Sequence, residues 1–262
     1  MIIKTGKTTI ELIKNIKGVL GLFASILYWA ILGPFKGKSA SRQSIFSQMI
    51  FAGLSSTLIV FFVTIFTGVV LAMQSAYQLQ KMGAVLYVSS LVAISLCREL
   101  SPVLTALVVA GRVGSAIAAE LGTMKVSEQI EALETMAINP VRFLAVPRFL
   151  ALFFMLPCLT IIGDISGIIG GYLVGVYSLK INADLYIQTT FKYLEIKDIY
   201  TGITKAFVFA IIIALIGCFE GLNTKGGAEG VGRATTRSVV ISFILIILAD
   251  CVITGIFYFS KI

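Results

Sequence analysis

Histidine is absent from this sequence, and charged residues are scarce. Charged side chains account for 13% of the 262 residues, against about 25% in soluble domains. Without histidine, a Ser-His-Asp triad, a Cys-His dyad and a histidine-ligated metal site are excluded. The cysteines form no C-x-x-C pair and lie in apolar stretches, so we interpret them as small packing residues. They are Cys97, Cys158, Cys218 and Cys251.

Apolar residues dominate instead. They make up 58% of the chain, in addition to 24 glycines, and the mean hydropathy is +0.98. One membrane crossing needs about 20 apolar residues, so the chain has material for five or six spans. The apolar runs are continuous, which is typical of helices and not of barrel strands. We therefore expect an all-α integral membrane protein, in which the net charge of +8 indicates attraction to anionic lipid and not nucleic-acid binding.

Residues 1–47 form an N-terminal segment of distinct character. The first 17 residues carry lysines and apolar residues at near-helical spacing, which predicts a basic amphipathic helix on an anionic surface. Residues 18–35 are uncharged and apolar, and end with Gly33-Pro34. We expect this stretch to be re-entrant, with a short span as the alternative.

Residues 48–262 form a membrane domain of five predicted spans. These are Met49–Met73, Met82–Gly111, Phe149–Val176, Gly202–Phe219 and Ser238–Phe259. The segments 177–201 and 220–237 between spans are predicted as loops. With the N-terminus in the cytoplasm, the inner segments hold nearly three times as many lysines and arginines as the outer ones. Because positive charge accumulates on the cytoplasmic side, we predict a cytoplasmic N-terminus and a C-terminus on the outer side.

Four charged residues lie inside the predicted spans: Arg98, Glu99, Lys205 and Asp250. Each costs a few kcal/mol at membrane depth and by default marks a substrate path. Arg98 and Glu99 are adjacent, about 100° apart on a helix, so at least one needs a partner on another segment. Pro102 has no N–H and predicts a kink beside them. The alternatives are that the four link helices together, or that Lys205 extends to an interface.

Glycine recurs at every fourth position in the third span. Gly163, Gly167, Gly171 and Gly175 leave one helix face open to a close neighbour. Packing within the chain is at least as good an interpretation as a contact between two copies. Asp164, in the same span, is interpreted as a structural hydrogen-bonding residue.

A short amphipathic helix is predicted at about residues 127–138, with Ser127 as its N-cap and Asn139-Pro140 as its end. Its glutamates are repelled by anionic lipid, so a protein partner is favoured. The stretch Gly33–Ser39 is one residue too short for a P-loop, so a docked ATPase would have to supply the energy for transport. The predicted coupling residues are Glu128, Glu131, Leu133, Glu134 and Met136.

One long stretch carries a family resemblance. It begins CRELSPVLTALVVAGRVGSAIAAELG at Cys97, continues TMKVSEQIEALETMAINP to Pro140, and is followed by VRFLAVPR. This stretch closely resembles the MlaE/YrbE family of ABC-transporter permeases. The segments around Lys205–Ala210 and Gly230–Val240 look like the same family, so the resemblance covers essentially the whole chain.

The resemblance implies a homodimer that moves phospholipids between the bacterial inner membrane and an outer-membrane-directed carrier. It implies that a cytoplasmic ATPase docks at the helix matching Ser127–Ile138, and that ATP binds only to that partner. A periplasmic MCE-domain lipid-binding subunit is implied as well, and in some systems a STAS-domain protein. By similarity, Glu99, Lys205 and Asp250 are polar features of a lipid-handling cavity, with Arg98 beside it.

The function predicted from the sequence is therefore that of a permease subunit without catalytic residues, cofactor or metal. Two alternatives stay open. An ion-coupled secondary transporter also uses buried carboxylates, although we find no inverted repeats. A membrane-embedded lipid enzyme would need a nucleophile–base pair, and the sequence offers no clustered one.

Overall fold

A computed structural model describes residues 2–35 and 41–259. Within these residues the fold is all-α, with no strand. The eight helices are α1 (Ile2–Phe35), α2 (Arg42–Lys81), α3 (Val85–Val126), α4 (Gln129–Thr135), α5 (Val141–Ser178), α6 (Ala183–Tyr193), α7 (Ile196–Leu222) and α8 (Gly227–Phe259). All except α4 and α6 contain a stretch long and apolar enough to cross a membrane. The predicted class, an all-α membrane protein, is confirmed.

Helix α1 differs from the re-entrant segment that we predicted for residues 18–35. It is one continuous helix of 34 residues, without a reversal of direction. Its part Lys14–Gly33 is a sixth candidate span, where the sequence analysis counted five. The physical reason is that no proline or polar turn interrupts the helix before Gly33-Pro34, so it propagates to that end.

The chain divides into two compact units. The first contains the described residues up to Met49, Ala110–Leu152 and Ile211–Phe243. The second contains Ile50–Val109, Phe153–Ala210 and the described residues from Ile244 onward. The helix α4 therefore belongs to the first unit, and α6 belongs to the second.

In the first unit, close packing and ion pairs hold α3 against its neighbours. A Cβ atom added to Gly217 of α7 would lie only 3.1 Å from the carbonyl oxygen of Gly114. Ser238 of α8 donates a hydrogen bond to the same carbonyl at 3.4 Å. Arg148 of α5 forms an ion pair with Glu120 of α3 at 2.8 Å. Three helices therefore converge on α3 in this unit.

In the second unit, glycines bring the backbones of α2 and α5 into direct contact. A Cβ on Gly68 would overlap the carbonyl group of Gly167, and a Cβ on Gly170 would overlap that of Ile65. The other glycines of the four-residue repeat also pack within the chain: Gly163 against Ser101 and Thr64, Gly171 against Val92, and Gly175 against Tyr186. The repeat therefore serves intramolecular packing, one of the two interpretations left open above.

Hydroxyl groups join the same helices. Thr64 of α2 and Ser166 of α5 are hydrogen-bonded at 2.5 Å. Ser101 of α3 donates to the carbonyl of Thr160 at 3.1 Å and is hydrogen-bonded to Asp164, which is buried. The structural role predicted for Asp164 agrees with this position.

Over the part of the chain that the structure describes, the long helices contain five π-helical turns: Ile50–Leu54, Leu96–Leu100, Ala110–Gly114, Val141–Ala145 and Val174–Ser178. The turn Leu96–Leu100 contains both Arg98 and Glu99, and is closed by a hydrogen bond from the Ser101 N–H to the Leu96 carbonyl. Pro102 follows directly and has no N–H to donate. The sequence predicts a kink beside these charges, and the structure has a π turn at this place.

The ends of α4 differ from the prediction. The Ser127 hydroxyl donates back to the Thr123 carbonyl at 2.8 Å and does not cap α4. The residue preceding α4 is Glu128, in the left-handed conformation with φ 59°. At the other end Ala137 is also left-handed, with φ 58°, and Asn139 accepts a hydrogen bond from the Arg142 N–H at the start of α5. Helix α4 is therefore shorter than predicted, and Asn139 lies before α5 and caps its start.

Two segments predicted as loops are helical. The segment 177–201 contains α6 and the start of α7, and Asn182 caps α6 by accepting hydrogen bonds from Asp184 and Leu185. In the glycine-rich segment 220–237, the turn between α7 and α8 lies between Leu222 and Gly227. Gly226 has φ 92° there, a conformation that favours glycine.

We predict that Gly170→Ala lowers the free energy of unfolding by about 1–3 kcal/mol, because the new methyl group overpacks the α2–α5 contact. Gly255→Ala in α8 is the control, since a Cβ there meets nothing within 4 Å. That substitution should be neutral or stabilise by up to about 1 kcal/mol through helix propensity. Denaturant titration in detergent measures both. Equal stability of the two variants would contradict the close α2–α5 contact.

Candidate functional site

A buried lysine lies at the centre of the second unit. The side chain of Lys205 on α7 is fully buried and forms an ion pair with Glu99 of the α3 π turn. Its ammonium also lies 2.8 Å from Oδ1 of Asp250 on α8. The sequence predicted these three residues as a set, and the structure brings them together on three helices. Lys205 does not extend to an interface, which was one of the alternatives.

Thr254 completes this charge cluster, and the sequence analysis missed it. The Lys205 ammonium donates to its Oγ1 at 2.7 Å, and the Thr254 hydroxyl donates to Oε1 of Glu99 at 3.1 Å. Thr254 lies four residues after Asp250, so both side chains lie on one face of α8. This four-residue spacing is the feature of the sequence that could have identified Thr254. We use "charge cluster" for Glu99, Lys205, Asp250 and Thr254.

Gly202 is the reason that α7 comes so close to the π turn. A Cβ at this position would overlap the carbonyl oxygen of Cys97. Lys205 lies three residues further along, on the adjacent part of the same helix face. The close approach at Gly202 therefore places the ammonium within reach of Glu99.

Arg98 does not join the charge cluster. Its guanidinium lies 3.5 Å from Oδ1 of Asp198, a buried residue in the first turn of α7. Oδ2 of Asp198 accepts a hydrogen bond from the Glu195 N–H at 3.0 Å, which caps the helix. Asp198 was placed in a loop by the sequence analysis. Its position seven residues before Lys205, on the same helix face, would have identified it.

An apolar groove of about 210 Å³ lies one turn from the charge cluster. Its lining includes Thr201, four residues before Lys205, and Phe257, three residues after Thr254. The remaining lining residues are Ile196, Lys197 and Tyr200. The second unit therefore presents a charged cluster and an apolar groove next to each other along the same two helices.

The partners of the cluster determine what it can bind. The Lys205 ammonium is fully buried, donates hydrogen bonds to Glu99 and Thr254 and lies 2.8 Å from Oδ1 of Asp250, so it is not accessible to a phosphate. Two carboxylates around one cation leave a net negative charge. Glu99 and Asp250 keep 37% and 24% of their side-chain surface exposed, so this charge is accessible. Arg98 keeps 38% of its side-chain surface exposed, so its guanidinium is accessible to an anion.

The predicted coupling residues lie on and around α4 in the first unit. Glu128, Glu134 and Met136 are exposed, whereas Leu133 is half-buried. Glu131 forms an ion pair with Lys125 at the end of α3, and this hydrogen bond lowers the pKa of its carboxyl group. Ile130 is buried and anchors the helix. Two glutamates and one methionine are thus available to a partner.

Comparison with known proteins identifies the family. The chain matches the family described as Permease MlaE over residues 45–256. The chain belongs to the MlaE permease family. A probable ABC transporter permease protein of Rickettsia typhi is 44% identical over 253 residues, which cover 97% of this chain and 96% of the relative. A probable ABC transporter permease protein of Synechocystis is 40% identical over 210 residues, 80% of each chain.

A third relative comes from a plant. The chloroplastic protein TRIGALACTOSYLDIACYLGLYCEROL 1 of Arabidopsis thaliana is 36% identical over 230 residues, which cover 87% of this chain and 65% of that protein. As an MlaE permease, the present chain is a multi-pass membrane protein and the membrane subunit of an ABC transporter.

We predict that Lys205→Met lowers the free energy of unfolding by about 3–5 kcal/mol, because it leaves two carboxylates without their buried cation. Adding Glu99→Gln should recover part of this loss by removing one of the uncompensated charges. Lys192→Met, at an exposed lysine of the same unit, is the control and should change stability by less than about 0.5 kcal/mol. Denaturant titration in detergent is the measurement. A Lys205→Met variant as stable as the control would contradict the ion pairs.

Proposed function

We propose that this MlaE permease moves phospholipid between the bacterial inner membrane and a periplasmic MCE-domain carrier, with energy from a separate ATPase. The adjacency of the charge cluster and the apolar groove is the observation that carries this proposal. A phospholipid joins a charged headgroup to apolar chains. The charge cluster matches the headgroup, and the apolar groove matches the chains.

The chemistry of the cluster suits a zwitterionic or amine-bearing headgroup. The net negative charge of Glu99, Lys205 and Asp250 attracts a headgroup cation. Arg98, partly exposed beside them, meets the phosphate, because charge-assisted hydrogen bonds from arginine fit phosphate oxygens. An acyl chain lies against Tyr200 and Phe257 in the groove. The name of the Arabidopsis relative, that of a diacylglycerol glycolipid, supports lipid as the substrate class.

The ATPase docks on α4. Glu128, Glu134 and Met136 offer it an acidic and apolar surface. Helix α3 carries Glu99 and ends at Val126, directly before Ser127 and Glu128. Force applied to α4 is therefore transmitted along the chain into the helix that holds one carboxylate of the cluster.

Two copies of the chain form the transporter. Helix α8 buries few of its side chains within the chain and presents a long apolar series on its surface. This series includes Val240, Ile244, Ile247, Leu248, Val252 and Ile256. Asp250 lies on the same helix with part of its carboxyl group exposed. A second copy packed along α8 closes the open side of the charge cluster into a cavity.

The orientation follows from the distribution of positive charge. We place the N-terminus in the cytoplasm and the C-terminus in the periplasm, which requires α1 to stay on the cytoplasmic side of the bilayer. The lysines of its first half favour that side. A STAS-domain protein completes the assembly in the systems that have one.

We predict that Glu99→Ala and Lys205→Ala each reduce ATP-dependent phospholipid transport about tenfold or more, since a hydrogen bond to a charged group is worth about 1.5–3 kcal/mol. Asp184→Ala, at an exposed acid of the same unit, is the control and should leave transport unchanged. Transport from labelled vesicles by the complete complex is the measurement. Unchanged transport in both variants would contradict the cluster assignment, and transport that needs an ion gradient in place of the ATPase would indicate a secondary transporter.

We predict that Glu128→Lys with Glu134→Lys abolishes co-purification of the ATPase subunit, because two exposed acids on α4 become repulsive to a basic partner surface. Asp184→Lys on α6 reverses an exposed acid elsewhere and should leave co-purification intact. Affinity purification in mild detergent measures both. An ATPase retained equally by both variants would show that docking does not use α4.

A further inference from the structure

Helix α6 has a face that the transport function does not use. Its buried side packs on α3 and on α5; on α5, the Tyr186 ring lies edge-on to Tyr172 at 5.6 Å and closely against Gly175. Ile187 and Phe191, one turn apart, form a second, apolar side, and Phe191 is 72% exposed. A third side is polar and exposed: Asp184, Gln188 and Lys192. Helix α6 is thus amphipathic even after its packing against α5 is counted.

A groove of about 230 Å³ lies between the apolar side of α6 and α5. The lining includes Ile168, Ile169 and Tyr172 of α5, and Tyr186, Ile187 and Phe191 of α6. We call it the α5–α6 groove. Pockets for drug-sized ligands measure about 300–1,000 Å³, so this groove suits a single slender apolar chain. A specific protein interface uses about 20–30 residues a side, whereas seven residues line this groove.

The groove opens onto the lipid-facing side of α5. Exposed apolar residues recur there at every fourth position: Ile161, Ile165, Ile169 and Leu173. They form one continuous row along a helix that crosses the membrane. Ile169 belongs to both the row and the groove, so an apolar chain reaches the groove from the hydrocarbon without passing through water.

Tyrosines place the groove near the membrane interface. Eight of the nine tyrosines, all except Tyr28, lie in the second unit. Tyr172 and Tyr186 line the groove, and Tyr177 and Tyr193 lie at the ends of α5 and α6. Tyrosine is enriched where headgroups meet hydrocarbon, because its ring is apolar and its hydroxyl is polar. The polar side of α6 then faces the headgroups.

We propose that the α5–α6 groove holds one acyl chain of a resident bilayer phospholipid, and that α6 lies along the membrane interface above it. This lipid is separate from the one at the charge cluster. It extends the packing of α6, whose Ile187 and Phe191 are exposed on their outer side.

Lipid retention tests the proposal. The purified protein is equilibrated with vesicles of phosphatidylethanolamine and phosphatidylglycerol, extracted in mild detergent and examined by native mass spectrometry. Ile169→Trp fills the groove and should retain one phospholipid fewer than the unmodified protein. Ile165→Trp, in the same exposed row but outside the groove, is the matched control and should retain the full number. Lys205→Ala changes the charge cluster and not the groove, so this variant should also keep the groove lipid. That result distinguishes the groove lipid from a lipid bound at the charge cluster. Equal retention by Ile169→Trp and Ile165→Trp would overturn the proposal.

A second measurement uses the unmodified chain. Vesicles containing a phospholipid with a photoreactive acyl chain should label Ile187 and Phe191 severalfold more than Gln188 on the polar side of α6. Equal labelling of the two sides would overturn the proposal. Absence of labelling from α6 would overturn the proposal as well, because another occupant, such as a protein, would then cover the groove.

Discussion

The pairing of Lys205 is the constraint on which the second unit depends. An ammonium that is fully removed from water needs an oxygen for each of its three donors. Here α3 supplies Glu99 and α8 supplies Asp250 and Thr254, so one side chain fixes the positions of three helices. The absence of a side chain at Gly202 makes this distance possible. The same pairing that orders the unit leaves a negative surplus on its exposed side, and the proposed lipid site follows from that surplus.

The charged residues of the site could be found from the sequence, because charge inside an apolar span is rare and costly whatever the fold. Their partners could not be found in the same way. Arg98 and Glu99 are neighbours in the chain, yet they pair with Asp198 and Lys205, which lie seven residues apart on α7. Which partner each one takes depends on the π turn and on the approach of α7, and both are properties of tertiary packing. Helical spacing from Asp250 and from Lys205 would have added Thr254 and Asp198 to the predicted site residues.

Other predictions failed where one residue type serves two local structures. Ser127 has the pattern of an N-cap, but a serine hydroxyl also bonds back to a carbonyl four residues earlier, and the end of α3 is stabilised in this way. The segment around α6 was interpreted as a loop because polar residues are frequent in it. Its three sides, buried, apolar and polar, become evident only when α5 shows which side is buried. In both cases the neighbouring helix decides between two conformations that the local sequence allows.

Stability alone does not explain why the charge cluster exists. Replacing a buried ion pair by well-packed apolar residues of similar volume is often neutral or stabilising, although removing one partner is strongly destabilising. The described residues of helices α2 and α5 show an uncharged solution in this same chain, since glycines and hydroxyl groups hold the two helices together. The contacts of α3, α7 and α8 use two carboxylates and one cation instead, and they leave the carboxylates partly exposed. An arrangement that serves only to join helices would enclose its charges and balance them. The exposed negative charge suits a polar group that carries a positive charge. Because the charge cluster lies beside an apolar groove, a ligand that fits both is an amphiphile.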